Sequence, residues 1–105
     1  MKHHNYFVYI LTNKNKTVLY IGVTNDIERR LFEHENNQQN KFKFTSKYNC
    51  TNLIYFEIFS NINNAIDRET ELKKWRREKK ENLINSINPD WNFLNEEVKE
   101  RYFEK

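Results

Sequence analysis

A chain of 105 residues with 18 basic and 15 acidic side chains, net charge +3, has the length of one domain and buries one modest core, not two. The mild basic excess permits a nucleic-acid or phosphate partner without demanding one. A single cysteine, Cys50, excludes an intramolecular disulfide and a thiolate metal cage, and the apolar run after Met1-Lys2-His3-His4-Asn5 is too short for a signal-peptide core or a membrane span, so a cytoplasmic protein with no membrane partner is expected.

Tyr6-Phe7-Val8-Tyr9-Ile10-Leu11 reads as a first strand, and its lack of alternation places it in the middle of a sheet with both faces covered. The polar stretch Thr12 to Thr17 and the run Val18 to Val23 complete an antiparallel hairpin. With Leu11 opposite Val18, Tyr9 faces Tyr20, and two phenols stand on one side of the sheet with Cβ atoms roughly 5 Å apart. Gly22 is the only glycine, and a lone glycine in such a run marks a bend or a place where another backbone or a ligand comes close. Asn25 is the expected N-cap of a helix to about Asn36, with Asp26 in its first turn and Glu28 completing a capping box. On that helix Ile27, Arg30, Leu31 and His34 share a face, which brings Arg30 and His34 to the margin of the buried side.

The stretch Asn37 to Asn52 reads as a long loop in which Lys41, Lys43 and Lys47 alternate with Phe42, Phe44 and Tyr48, a pattern suited to holding phosphates and stacking bases, or to pinning a loop on the core. Leu53 to Phe59 is a third strand. Asn63 or Asn64 then caps a helix from about Ala65 to Lys80, on which Ala65, Ile66, Leu72 and Trp75 form a broad apolar arc. Glu69 lies inside that arc, where a carboxylate is costly unless it is paired or binds a cation. The basic run Lys73-Lys74-Trp75-Arg76-Arg77-Glu78-Lys79-Lys80 continues the same helix beside Glu69 and makes Lys73, Arg76, Arg77, Lys79 and Lys80 candidates for phosphate contact. Leu83, Ile84 and Ile87 form a short helix stopped by Asn88-Pro89, Trp91, Phe93 and Leu94 close over the core, and Glu96 to Lys105 is a weakly packed helical tail.

Val8-Tyr9-Ile10, then Tyr20-Ile21-Gly22 with its tyrosine eleven positions after the first, then Arg30 and His34, then Ala65 with Glu69, together resemble the GIY-YIG nuclease family over about Tyr6 to Asn92. Val8 stands where the family's first triplet has glycine. The version here is similar to small stand-alone bacterial members, which look like the catalytic half of excision-repair and structure-specific nucleases. The resemblance implies an α/β fold: a three-stranded antiparallel sheet flanked by helices in the order β-β-α-β-α-α, with residues 1–94 as the nuclease domain and 95–105 as a tail. It implies metal-dependent hydrolysis of DNA, with Tyr9 and Tyr20 as the motif tyrosines, Arg30 as phosphate clamp, His34 as the helix histidine and Glu69 as ligand of Mg²⁺ or Mn²⁺. Asn82 and Asn92 both stand where a further polar site residue is expected.

These residue types suit that chemistry. A hard ion that keeps its hydration shell needs few protein ligands, and an arginine offers a planar fork to a phosphate oxygen. A tyrosine becomes a useful base once a cation lowers its pKa, and Tyr20, just before the turn into the helix of Arg30, is the first choice over Tyr9 and His34. Without a recognisable targeting domain, little sequence specificity is expected, unless a homodimer or a partner protein supplies it. The alternatives are a catalytically idle nucleic-acid-binding module on the same fold and a protein-interaction domain using exposed aromatics.

Overall fold

The computed structural model describes residues 5–36 and 43–103. Strand β1, Tyr6–Thr12, is the middle of a three-stranded sheet, with β2, Leu19–Thr24, antiparallel on one side and β3, Asn52–Phe59, antiparallel on the other. Every residue of β1 after Tyr6 is buried, as its continuous apolar run requires. Phe7, Tyr9 and Leu11 enter one apolar layer with Ile27, Leu31, Leu53 and Val98, while Val8 and Ile10 enter the other with Ile21, Ile54, Ala65, Leu72 and Ile84. Helices α1, Ile27–Glu35, and α5, Asn95–Phe103, serve the first layer; α3, Ile62–Lys74, and α4, Arg77–Ile87, serve the second. Cys50 is buried in the first, a small apolar residue. Among the described residues no helix is long and apolar enough to cross a membrane.

The hairpin register departs from the sequence expectation by two residues. Tyr9 stands opposite Gly22, and Tyr20 opposite Leu11. The cause is Asn13, whose side-chain oxygen accepts from the backbone amides of Thr17 and Val18 at 2.8 and 3.1 Å, drawing Val18 out of the strand and into the turn. Thr12 closes it by donating its hydroxyl to the Val18 carbonyl at 2.8 Å. A slip of two preserves the face, so both tyrosines still stand on the same side, their ring centroids 6.3 Å apart. Gly22 lies within β2 with no positive φ, so neither a bend nor a left-handed backbone explains it. A Cβ built there would sit 2.5 Å from both Cζ and Oη of Tyr9: the close approach is that of a side chain, a phenol ring laid across the neighbouring strand.

Four further elements differ from the reading of the chain alone. The cap of α1 is Asp26, whose side chain accepts from the Arg29 amide, one residue beyond Asn25. Part of the expected long loop is a short helix, α2, Lys43–Tyr48, held by the burial of Thr45. Helix α3 begins at Ile62 with Asn61 as its cap, and Ile66, placed in the apolar arc, is exposed. It also ends early: Trp75 and Arg76 take extended backbone, and the basic run is divided between two helices. The indole is half-buried against the second layer between Arg68 and Lys79, with Arg68 Cζ and Lys79 Nζ 5.3 and 4.3 Å from its centroid, and the break redirects α4 so that Ile84 returns to the sheet. Phe93, expected to close the core, is exposed beneath Lys16. The C-terminal helix is docked more firmly than a weakly packed tail: Val98 is fully buried, and Asn95 accepts from the Leu53 amide at 2.8 Å.

Two polar devices hold the second layer in register. Ile10 pairs with Tyr55 and Leu11 with Leu53, leaving Ile54 as the extra residue of a bulge, and buried Asn88 donates to its carbonyl at 2.9 Å. Arg68 of α3 forks onto Glu57 of β3 with Nε and Nη2 each 2.9 Å from a carboxylate oxygen, while Tyr55 donates its hydroxyl to the same carboxylate. Burial pushes the Glu57 carboxyl up, but the Arg68 fork and the Tyr55 hydroxyl outweigh it and leave the group below its ordinary value.

Two stability predictions follow from this packing. Gly22→Ala should cost about 1 to 3 kcal/mol in urea unfolding, because the ring of Tyr9 is enclosed and cannot swing away from the new methyl; a variant as stable as the parent would mean that Tyr9 has room to move. Glu57→Gln should cost about 1.5 to 3 kcal/mol near neutral pH, the usual size of a hydrogen bond to a charged group. Since the folded carboxyl is depressed, that contribution is present above the unfolded glutamate value, about 4.3, and is lost as pH falls through the folded one. The gap between parent and variant should therefore narrow in acid and stay open from pH 5 to 8.

Candidate active site

Helix α1 starts where β2 ends. Asp26 caps it, Thr24 receives the Asp26 amide at 3.1 Å, and Ile27 and Leu31 fix its inward face. Arg30 and His34, one turn apart, are thereby aimed at the hydroxyl of Tyr9. His34 Nε2 lies 3.2 Å from Tyr9 Oη in a buried hydrogen bond, and Arg30 donates from Nη1 to the same oxygen at 3.5 Å and to the Val23 carbonyl at 3.4 Å. Arg30 Nε also pairs with Glu33 at 3.4 Å. These three contacts are long, at 3.4 to 3.5 Å. His34 is not marginal but 2% exposed, and its other nitrogen, Nδ1, lies 3.1 Å from the buried hydroxyl of Thr45 on α2.

Tyr20 stands in the angle between Tyr9, His34 and α2. Its ring centroid is 5.5 Å from that of His34 and 5.9 Å from that of Phe44, which in turn is 4.8 Å from Tyr48. Tyr9 is fully buried, whereas Tyr20 is half-buried and Phe44 and Tyr48 are exposed, so the aromatic row runs from the core outward. Burial drives the Tyr9 phenol well above its ordinary value; the bond from Arg30 opposes the rise, and Tyr20 and Glu69 add to it. Burial, and then the Arg30 guanidinium, lower His34 to about 4 against the pull of Glu33, so the imidazole is neutral near pH 7.

Glu69 comes from α3, which packs on the other face of the sheet. Its side chain is 16% exposed and accepts an ion pair from Lys73 Nζ at 3.0 Å. Lys73 is itself half in water, and an i, i+4 pair of this kind is worth about 0.3 to 0.5 kcal/mol, too little to hold the carboxylate against a divalent ion. Among the described residues there is no group of three or more histidine, cysteine, aspartate or glutamate side chains that could form a metal cage. A single carboxylate suits a hard ion that keeps its waters and shares a substrate phosphate.

The basic candidates are dispersed. Lys41 lies outside the described residues, and Lys43 opens α2. Lys47 is exposed, 5.4 Å from the Tyr48 ring centroid. Arg76 and Lys79 line a shallow recess of about 350 Å³ with Trp75, Glu78 and Asn82, and Lys80 is half-buried on α4. Arg77 is already engaged, donating to the Thr17 and Lys16 carbonyls at 2.9 and 3.2 Å and pairing with Glu81 at 2.8 Å. Asn82 is therefore in a recess, while Asn92 is exposed and has its backbone held at both ends by Asn88. Thr45 was not singled out from the sequence: a threonine in a polar stretch carries no periodic signal, and only the folding of α2 against α1 makes it a neighbour of His34.

Residues 5–82 match the GIY-YIG catalytic domain. A UPF0213 protein of Haloquadratum walsbyi is 38% identical over 78 residues, 74% of this chain and 84% of that protein. A UPF0213 protein of Clostridium perfringens is 36% identical over 99 residues, 94% of each chain. The solution NMR structure of the UPF0213 protein BH0048 from Bacillus halodurans superposes with a TM-score of 0.52 at 27% identity, covering 90% of this chain and 95% of that one. With the motif tyrosines, the arginine and the histidine gathered on one sheet face and the match spanning most of the chain, the protein belongs to the GIY-YIG catalytic domain family.

Proposed function

We propose that this member of a nuclease family is a DNA endonuclease that hydrolyses phosphodiester bonds with Mg²⁺ or Mn²⁺, reading sequence weakly. The observation that carries the reading is the convergence of Arg30, His34 and both tyrosines on one face of the sheet. Glu69 would hold the ion in place of its pair with Lys73. When bound, the ion supplies Lewis-acid stabilisation of the phosphate and of the leaving oxygen. Arg30 shifts its fork from the Val23 carbonyl to a non-bridging phosphate oxygen and stabilises the charge that grows there. Tyr20, the half-buried member of the pair, acts as its phenolate: it takes a proton from the attacking water as that water's oxygen bonds to phosphorus and the P–O bond to the leaving oxygen breaks. Tyr9 is the weaker candidate because its phenol is enclosed, raised by burial and bonded to His34. His34, held near 4, is too weak a base to compete at neutral pH.

DNA is held chiefly through its phosphates, by Lys47, Arg76 and Lys79 from exposed positions, with Lys73 joining them once it leaves Glu69. The engagement of Arg77 by the hairpin carbonyls makes it a smaller contributor.

Two measurements test the reading. Glu69→Gln should retain its fold and its gel shift with DNA while Mg²⁺-dependent nicking of supercoiled plasmid falls to the level seen with chelator; nicking at the parent rate would make Glu69 a structural residue. Tyr20→Phe should lower single-turnover cleavage by about 10² to 10⁴, the usual contribution of a general base. The parent rate should rise with pH through one ionisation, and Tyr20→Phe should lack that rise. Loss of the rise in His34→Ala, with Tyr20→Phe retaining it, would transfer the role to the histidine.

A further inference from the structure

Hydrogen bonds around His34 form one continuous path: Arg30 Nη1 to Tyr9 Oη at 3.5 Å, part-buried, then the buried bonds from Tyr9 Oη to His34 Nε2 at 3.2 Å and from His34 Nδ1 to Thr45 Oγ1 at 3.1 Å. A guanidinium has no acceptor, so Arg30 can only donate. Its positive charge turns the lone pairs of Tyr9 Oη toward it, and the phenolic proton then points the other way, at His34 Nε2. For Nε2 to accept, a neutral imidazole must carry its hydrogen on Nδ1, and that hydrogen finds the hydroxyl of Thr45. The opposite tautomer sets two donors, Arg30 and His34, on Tyr9 Oη and leaves the phenolic proton without the imidazole as its acceptor.

We infer that Thr45 is a positioning residue: by accepting from Nδ1 it holds His34 as the Nδ1–H tautomer, so that Tyr9 gives its proton to His34 and keeps its lone pairs for Arg30. This rests on the nuclease reading only in its consequence, the placing of Arg30 for a phosphate oxygen. The tautomer itself is a property of the uncut protein. The short helix α2 thereby has a task beyond covering the core. It carries the acceptor at the far end of the path from the arginine, on a different element from the tyrosine and the helix that supply the other three members. A hydroxyl is suited to the place, because it accepts from Nδ1 without introducing the charge that an aspartate or glutamate would add beside a buried neutral ring.

The tautomer is read from long-range ¹⁵N–¹H correlations of the imidazoles at pH 7, in a chain with only His3, His4 and His34, the His34 signals being identified by their absence in His34→Gln. The parent should show a protonated Nδ1 and a bare Nε2. Thr45→Val, of nearly the same shape, should shift His34 toward the Nε2–H form or a mixture and lower single-turnover cleavage in Mg²⁺ by about 10- to 100-fold, as loss of a histidine's outer partner usually does. Thr45→Ser should restore both. Thr45→Ala, which removes the hydroxyl without adding bulk, repeats the comparison should the valine variant fail to fold. An Nε2–H parent, an unchanged tautomer in the variant without the hydroxyl, or a changed tautomer with an unchanged rate each overturns the inference. A parent that does not cut DNA overturns the nuclease reading alone, and the tautomer comparison still decides what Thr45 does.

Discussion

The ring of Tyr9 lies flat across Gly22, and most of the site's geometry follows from that contact. A β-carbon at position 22 would occupy the space of the phenol, so the ring reaches over the edge strand only because its partner in the register has no side chain. That reach puts the hydroxyl beyond the centre of the sheet, at the turn from β2 into α1, where residues one helical turn apart meet it from the same side. Had the register placed Tyr20 opposite Tyr9, two phenols would contest the space over one strand pair. The slip of two instead sets them on the diagonal, the first enclosed and the second open to solvent.

The two faces of the sheet divide the work. The α1 face holds hydrogen-bonding groups whose burial suppresses charge: a phenol that stays protonated and an imidazole that stays neutral. The α3 face carries Glu69. Helix α3 presents Arg68 and Glu69 in succession; the first is clamped to Glu57 by two bonds of 2.9 Å and the second holds only a lysine that is half in water. The stronger tether fixes the rotation of the helix on the sheet, and the weaker one leaves the neighbouring carboxylate exchangeable. Stability and availability are thus assigned to adjacent residues of one helix.

What could be read from the chain alone follows the same division. The order of strands and helices, the central place of β1 and the facing of both tyrosines rest on periodicity and parity, which survive a slip of two residues. The register itself depended on one asparagine side chain capturing two amides, a detail that composition does not reveal. The break at Trp75 has no glycine, proline or capping residue to announce it. It coincides with the packing of the indole between Arg68, Lys79 and the core, a long-range contact. Likewise Arg77 read as a free basic residue, and only the meeting of α4 with the hairpin loop, some sixty positions earlier in sequence, occupies its guanidinium. Local chemistry was legible; long-range capture of a side chain was not.

The electrostatic balance of the site turns on its arginine. A guanidinium locked at short distance to a carboxylate, as Arg68 is to Glu57, would have to lose that partner before binding phosphate, at a cost of several kcal/mol for a desolvated pair. Arg30 instead reaches a phenol, a carbonyl and Glu33 at 3.4 to 3.5 Å. Its charge still acts where it stands, opposing the rise of Tyr9 and helping to hold His34 neutral. A neutral histidine is what the geometry needs: a second cation at 3.2 Å from the phenol would stand beside Arg30 as a like charge and push the guanidinium away from the oxygen that orients it. The buried, uncharged imidazole is therefore the condition under which one phenol oxygen can meet both an arginine and a histidine.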